Sequence, residues 1–289
     1  MKKLYGTGVA LVTPFDANGR LDFKSLKRLL THTAKGVDYY VVMGTTGESP
    51  TLTREEKQKV LSFVRENNSR QLPIVYGIGG NNTQEVVHLI SETNFEGVDA
   101  MLSVSPYYNK PSQEGIVSHF NNVADASPVP VILYNVPART SSNLTAETTL
   151  RLAQHKNIIG VKEASGNIEQ CMRIIQKKPK NFMLISGDDL LTVALFSVGA
   201  IGVISVLANA FPLVFRKMKE YCLAGNFDKA SVEQFKLLEI NGAMYEEGNP
   251  VGLKQLLSEM GICSNNVRLP MIAASAPLKA KIKALYGQR

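Results

Sequence analysis

Eight short apolar runs, separated by segments long enough to hold a helix, constrain the fold of this chain more than any other feature. Each run is rich in Val, Ile and Leu and ends at glycine or polar residues. Apolar strands that alternate with helices are typical of parallel sheets, and eight such units close into a barrel. We therefore predict an α/β fold, a (β/α)8 TIM barrel, with strands over Val9–Val12, Tyr39–Met43, Ile74–Ile78, Ala100–Val104, Val131–Tyr134, Ile158–Val161, Phe182–Ile185 and Gly202–Val206.

The segments between these runs begin with residues that favour helix starts. Thr53 and Glu56 have the spacing of a capping box, and Asp22, Thr83 and Thr145 each precede a periodic apolar segment. More helical pattern follows the last strand than one helix of a barrel requires. We expect a barrel over residues 1–224 and a small C-terminal helical appendage over 225–289 packed on it, with helices over Leu213–Ala224, Phe227–Glu247, Gly252–Met260 and Pro277–Tyr286.

Composition excludes several classes of function. The net charge of +7 would suit nucleic acid, but the basic residues are spread along the chain and form no stripe with interleaved aromatics. We expect no nucleic-acid partner. No run of about eighteen apolar residues occurs, and the start of the chain lacks the apolar run of a secretion signal, which predicts a cytoplasmic protein with no membrane partner.

Cysteine and histidine usage gives no indication of a metal site. The three cysteines are scattered without metal-ligand spacing, so we expect reduced thiols that serve as small apolar residues. The four histidines are equally dispersed. We predict no metal and no cofactor.

Two predicted strands end in chemically competent side chains. Ile158–Val161 is followed directly by Lys162, and Val131–Tyr134 ends in Tyr134. Burying an ammonium is costly unless it is paired or loses its proton, and an amine that loses its proton is a nucleophile. A solvated lysine and a packed tyrosine are the plainer interpretations of either residue alone. Together, at neighbouring strand ends, the two residues predict one site at the carboxyl end of the barrel.

Other strand ends add groups that bind anions. Gly44-Thr45-Thr46-Gly47-Glu48 combines glycines with two hydroxyl groups and suits a carboxylate, although a plain turn is the alternative. Arg139 follows the fifth strand, and its planar guanidinium suits a second carboxylate. A phenol beside a reactive lysine can pass protons if hydroxyls such as those of Thr45 and Tyr108 carry them onward. These residues favour class I aldolase chemistry, in which lysine condenses with a keto acid.

The chain resembles the dihydrodipicolinate synthases of the pyruvate-dependent lyase superfamily over essentially its whole length. The resemblance rests on Gly44-Thr45-Thr46-Gly47-Glu48, Ser105-Pro106-Tyr107-Tyr108-Asn109-Lys110-Pro111, Tyr134-Asn135-Val136-Pro137-Ala138-Arg139-Thr140, Gly160-Val161-Lys162-Glu163-Ala164, Ser186-Gly187-Asp188-Asp189 and Gly202-Val203-Ile204-Ser205-Val206. It implies an enzyme that condenses pyruvate with L-aspartate 4-semialdehyde to give 4-hydroxy-tetrahydrodipicolinate, in lysine and diaminopimelate biosynthesis.

The resemblance also implies roles for individual residues. Lys162 would form the Schiff base, Tyr134 would donate the proton, and Thr45 would complete a relay with Tyr108 from the neighbouring subunit. The substrates would be bound by Thr46, Arg139, Gly187 and Ile204. A residue supplied by a neighbour makes the dimer the minimum active unit, and the resemblance favours a homotetramer.

Two alternatives remain at this point. N-acetylneuraminate lyase or another pyruvate-dependent sugar-acid aldolase would share the lysine and the tyrosine, but the Thr45-Thr46 pair, the doubled Tyr107-Tyr108 and Arg139 resemble the synthases. A catalytically silent barrel that acts as a binding protein is the alternative from another class, because a fold alone never establishes activity. That hypothesis predicts loss of the lysine or the tyrosine, and both are present.

A cleft for L-lysine as an inhibitor is implied by the same resemblance. Its residues here would be Ser49, Asn81, Glu85 and Tyr107. Arg54 and Lys57 stand where lysine-sensitive relatives commonly have histidines, and added positive charge repels a cationic effector by about 1 kcal/mol per close pair in water. We predict weak or absent inhibition by L-lysine.

Overall fold

The computed structural model describes residues 2–288, so residues 1 and 289 of the predicted ranges lie outside it. Within it, eight parallel strands pair in chain order, and the last pairs with the first to close a barrel. The predicted (β/α)8 architecture is confirmed. The strands are β1 (Gly6–Ala10), β2 (Tyr39–Val42), β3 (Ile74–Gly77), β4 (Ala100–Val104), β5 (Val131–Asn135), β6 (Ile158–Glu163), β7 (Met183–Ser186) and β8 (Gly202–Ser205).

The helices of the described residues surround the barrel and continue beyond its eighth strand. Four short 3-10 helices lie at Lys2–Leu4, Thr45–Gly47, Ser49–Thr51 and Leu207–Asn209. The α-helices are α1 (Phe23–Thr33), α2 (Arg54–Glu66), α3 (Thr83–Glu92), α4 (Gln113–Ala126), α5 (Pro137–Thr140), α6 (Ala146–Leu152), α7 (Ile168–Lys177), α8 (Thr192–Ser197), α9 (Pro212–Leu223), α10 (Phe227–Phe235), α11 (Leu238–Ala243), α12 (Val251–Glu259) and α13 (Ala276–Gly287).

Most predicted helix starts are confirmed. The side chains of Asp22 and Thr145 accept hydrogen bonds from backbone N–H groups of the first turns of α1 and α6, and Thr53 forms the reciprocal capping box with Glu56. The prediction for α3 is wrong by one residue, because Asn82 rather than Thr83 accepts the capping hydrogen bonds. The hydroxyl of Thr83 is instead bonded to the ring of His119 on α4.

The core has two layers, as the alternation of side chains along a strand requires. One layer fills the barrel interior and includes Val41, Val75, Ile132 and Ile185. The other lies between the sheet and the helices, where Val42 and the residues of the helical apolar stripes pack. Three strands are also longer than predicted. β1 runs over Gly6–Ala10 instead of the predicted Val9–Val12, and β5 and β6 each continue past the last apolar residue to a buried polar one.

The C-terminal region differs from the sequence prediction in one element. The helix predicted over Phe227–Glu247 is broken, with α10 and α11 separated by a turn at 236–237. The side chain of Gln234, at the end of α10, bonds the backbone of Leu190 and Val193, and this tertiary anchor is invisible to helical periodicity. The predicted boundary at 224/225 falls between α9 and α10 and stays a prediction.

The three cysteines are free and buried, as predicted. Burial raises the pKa of Cys171 to about 12 and that of Cys222 and Cys263 to about 11, so these thiols stay protonated near neutral pH. None of the helices in residues 2–288 is both long enough and apolar enough to span a membrane.

Candidate active site

Lys162 and Tyr134 lie side by side on the inner face of the barrel. They are register partners on β6 and β5, and in a parallel pair such partners point to the same face of the sheet. Both side chains are buried, with 5% of Lys162 and 7% of Tyr134 exposed, and the Lys162 Nζ lies 4.2 Å from the centre of the Tyr134 ring. The structure therefore brings together the two residues that the strand ends predicted.

The outer face of the same two strands fixes this register. Asn135 and Glu163 are the next register partners, and Asn135 Nδ2 donates to both carboxylate oxygens of Glu163 at 3.1 and 3.0 Å. Glu163 also accepts from Gln170 Nε2 at 2.8 Å and from the Ser165 N–H at 2.8 Å. A buried carboxylate that accepts four hydrogen bonds from three groups is well satisfied, and it holds Lys162 pointing inward because neighbouring residues alternate faces.

Gly187 provides the space beside the lysine. A Cβ at this position would lie 2.6 Å from Ala164 Cβ and 3.1 Å from Lys162 Cε, so a side chain would displace the amine's neighbours. The backbone N–H of Gly187 donates to the Glu163 carbonyl at 2.7 Å. Lys162 and Gly187 line a cavity of about 420 Å³ with Thr45, Thr46, Tyr134, Arg139, Asp188, Asn241, Tyr245 and Asn249.

The threonine loop after β2 forms one turn of 3-10 helix over Thr45–Gly47. Its left-handed residue is Glu48, with φ 54°, whereas Gly44 is extended, so the two glycines do not supply the positive φ that a glycine turn suggests. Gly47 is instead needed for space, since a Cβ there would lie 3.2 Å from the Leu11 carbonyl oxygen. Thr46 is 2% exposed, and Thr45 is partly exposed.

Arg139 lies on α5, the short helix that begins at Pro137 directly after β5. Its side chain is exposed and makes no hydrogen bond or ion pair with the described residues. It lines the lysine cavity and also a neighbouring cavity of about 450 Å³. A guanidinium without a protein partner at the rim of two cavities is available to an anionic ligand.

The second cavity contains every residue of the predicted effector cleft. Ser49, Asn81, Glu85 and Tyr107 all line it, together with Thr45 and Tyr134, so it adjoins the lysine cavity within one chain. Lys57 also lines this cavity. Its pKa is lowered mainly by burial and to a smaller extent by the charge of Arg54. Arg54 itself is paired with Glu92.

Two predicted residues lie apart from the lysine cavity within this chain. Tyr108 is 87% exposed, has φ 74° and lines neither cavity, so it does not contribute to the lysine cavity of its own chain. Ile204 is fully buried in the barrel interior and is not among the lining residues. Thr45 and Tyr134 share both cavities, but no hydrogen bond joins their hydroxyl groups in the residues that the structure describes.

Several lining residues were missed by sequence reasoning. Asp188 belongs to a quoted motif, but Asn241, Tyr245 and Asn249 come from the C-terminal region, and no local pattern points to them. Burial, with added effects of Asp189 and Asp188, raises the pKa of Tyr245. Burial also raises the pKa of Asp189 to about 6, although its Oδ2 accepts from the N–H groups of Val206 and Leu207 at the end of β8.

Comparisons with known proteins agree over the full chain. The model of the dihydrodipicolinate synthetase family matches residues 3–288. The chain is 50% identical over 287 residues to the 4-hydroxy-tetrahydrodipicolinate synthase of Cytophaga hutchinsonii, covering 99% of this chain and 97% of the relative. It is 47% identical over 290 residues to that of Flavobacterium psychrophilum, covering 100% and 99%. The structure of dihydrodipicolinate synthase from Thermotoga maritima matches with a TM-score of 0.95 at 35% identity, covering 98% of each chain.

The closed barrel, its lysine cavity and these relatives define a lyase of the (β/α)8-barrel class. Within that class, the chain belongs to the dihydrodipicolinate synthetase family. The family, the fold and the lyase function predicted from the sequence are confirmed. The comparisons do not support N-acetylneuraminate lyase as the function.

Proposed function

We propose that the chain condenses pyruvate with L-aspartate 4-semialdehyde through a Schiff base on Lys162, giving 4-hydroxy-tetrahydrodipicolinate. The observation that carries this proposal is the buried Lys162 amine 4.2 Å above the Tyr134 ring. The amine shares a cavity with two threonines and Arg139. The names of the full-length relatives give the reaction class, and the cavity gives the residues that would perform it.

The chemistry follows from the amine. The Lys162 nitrogen attacks the keto carbon of pyruvate, and loss of water leaves an iminium that withdraws electrons from the adjacent methyl group. Loss of a methyl proton gives an enamine, whose carbon attacks the aldehyde carbon of the second substrate. The alkoxide formed there takes a proton, and the substrate's own amino group then displaces lysine to close the ring. The net products are the cyclic compound and one water.

The proposed proton carrier is Tyr134. Its phenol lies beside the amine and opens on the same cavity, which suits transfer to and from the hydroxyl of the carbinolamine. Thr45 would pass protons onward, and Tyr108 would enter from the neighbouring subunit. The exposure of Tyr108 in the single chain supports this arrangement, because a tyrosine that served its own site would not project into solvent.

The two substrate carboxylates are assigned to different parts of the cavity. Thr46 would bind that of pyruvate beside Lys162, and Gly187 leaves room for the adduct. Ile204, which is buried in the barrel interior and does not line the cavity, would support the pocket from behind. Arg139, at the rim, would receive that of the semialdehyde. A dimer is the proposed minimum unit, a homotetramer the proposed assembly, and the cytoplasm the proposed location.

The test is the mass of the intact protein after borohydride reduction with pyruvate. We expect a pyruvate-sized adduct on the wild type and none on Lys162→Ala. Lys156→Ala, an exposed lysine just before the same strand, is the matched control and should keep the adduct. If folded wild-type protein formed no adduct, the proposal would be refuted. Turnover with the semialdehyde but not with N-acetylmannosamine would establish the second substrate.

A further inference from the structure

A residue of the C-terminal region contacts the proposed carboxylate-binding threonine. Asn249 Nδ2 donates a hydrogen bond to Thr46 Oγ1 at 3.1 Å, across 203 positions of sequence. Thr46 is 2% exposed and Asn249 is 7% exposed, so water competes little for this bond. Both side chains line the cavity that contains Lys162.

The direction of this hydrogen bond determines what Thr46 can offer a ligand. A hydroxyl has one donor proton and accepts through its lone pairs. Oγ1 accepts from Asn249 Nδ2 and donates to no atom among residues 2–288, so its proton is available to a ligand; the buried Oδ1 of Asn249 also has no partner among these residues. A hydroxyl held as an acceptor on its protein side is thereby prepared to donate on its cavity side, where a carboxylate would lie.

A second contact holds the same loop from the same direction. Lys254 on α12 is fully buried, and its Nζ lies 2.5 Å from the carboxylate of Glu48, the left-handed residue that ends the Thr45–Gly47 turn. Asn249 and Lys254 are five positions apart. Asn249 lies just before α12, and Lys254 lies in its first turn. The segment around α12 therefore contacts the threonine loop through two side chains, Asn249 at Thr46 and Lys254 at Glu48.

We propose that Asn249 is a positioning residue for pyruvate, which orients the Thr46 hydroxyl as a hydrogen-bond donor to the substrate carboxylate. The inference rests on the proposed function and extends it: the C-terminal helical region completes the pyruvate pocket. Asn249 acts through Thr46, so its removal should weaken pyruvate binding in the ground state and the transition state alike. That pattern raises KM for pyruvate and leaves kcat nearly unchanged.

The primary test is a double-mutant cycle on KM for pyruvate. Asn249→Ala and Thr46→Val should each raise KM about tenfold, the effect of losing one hydrogen bond. The double variant should match Thr46→Val alone, because Asn249 has no effect once the hydroxyl is gone. A hundredfold rise in the double variant, the product of the single effects, would show that Asn249 acts independently and overturn the inference.

The second test keeps the shape of the side chain. The carboxylate of Asn249→Asp would accept the Thr46 proton and repel the substrate, so KM should rise about a hundredfold at pH 8, since charged groups have larger effects than one neutral bond. Protonation restores a donor and removes the charge, so KM of this variant should fall as pH falls from 8 to 6. Asn241→Asp adds a charge to the same cavity without the Thr46 bond and should show a smaller rise. Equal rises in both variants would contradict a role through Thr46.

The outcomes separate this inference from the proposed function. Absence of the pyruvate adduct on wild-type Lys162 removes the function before any variant is compared. An adduct on the wild type, combined with multiplicative effects in the cycle, leaves the function standing and removes Asn249 from it. An adduct combined with a double variant equal to Thr46→Val supports both.

Discussion

The buried ion pair between Lys254 and Glu48 provides the sharpest prediction about stability. Lys254 Nζ is enclosed, with Glu48 Oε1 at 2.5 Å, the Asn266 carbonyl at 2.8 Å and the Phe15 ring centre at 4.2 Å. Glu48 Oε2 accepts from the N–H of Arg268 at 3.0 Å. Burial lowers the pKa of Lys254, and the carboxylate of Glu48 opposes that shift.

Lys254→Met removes the cation and leaves the Glu48 carboxylate buried with one backbone donor. Leaving one charge of a buried pair without its partner typically costs 3 to 5 kcal/mol, and we expect about 4 kcal/mol here because both side chains are almost fully enclosed. A neutral pair of similar volume is tolerated far better. Lys254→Met combined with Glu48→Gln should therefore cost no more than about 2 kcal/mol relative to the wild type.

The assay is the free energy of unfolding from urea or guanidinium titration at pH 8. Lys281→Met is the matched control: its pair with Glu246 is about half exposed, so the loss should stay below about 1 kcal/mol. A loss below about 1 kcal/mol in Lys254→Met would refute the argument from burial. So would a double variant less stable than Lys254→Met alone, because the second substitution is expected to restore stability.

Three further predictions concern pH and effector response. Burial lowers the pKa of His119 to about 4, so its contribution to stability is present above pH 6.5 and lost as pH falls towards 4; His119→Gln should remove about 3 kcal/mol of that loss. Burial raises the pKa of Asp189 to about 6, so its effect on stability changes with pH in the opposite direction. The contribution of the protonated carboxyl to stability is full below pH 3.8 and is lost as pH rises through 6. The wild type should therefore lose about 2 kcal/mol relative to Asp189→Asn between pH 4 and 7. Submillimolar L-lysine should leave initial rates nearly unchanged, and Lys57→His should increase inhibition by removing a cation beside Glu85.

For each of these predictions, one experimental result would contradict it. For His119, unfolding curves that shift equally with pH in the wild type and His119→Gln would exclude the effect, with His88→Gln as the exposed control. A constant difference between the wild type and Asp189→Asn from pH 4 to 7 would remove the assigned cost of the buried carboxylate. Strong inhibition of the wild type by submillimolar L-lysine would show that the cationic side of the cleft does not repel the effector.

The barrel could be predicted from the sequence because the signals for its strands and helices are local. Apolar runs and cap residues recur within one strand and helix unit, and those units are short enough to recognise one at a time. Lys162 and Tyr134 were predicted for the same reason, since each occupies the end of its own run. The pairing of Asn249 with Thr46 spans 203 positions, and nothing near Asn249 indicates which loop it contacts. The C-terminal contribution to the cavity was invisible for that reason.

The network behind Lys162 shows what strand alternation could have added. The predicted strands stopped at Tyr134 and Val161, although both continue into polar residues. If Tyr134 and Lys162 point into the barrel, then Asn135 and Glu163 must point outward, where helices cover the sheet and a carboxylate needs donors. The two outward residues would then have to satisfy each other, as they do at 3.0 and 3.1 Å. The burial that makes Lys162 a candidate nucleophile therefore depends on a hydrogen-bond network on the opposite face of its own strand.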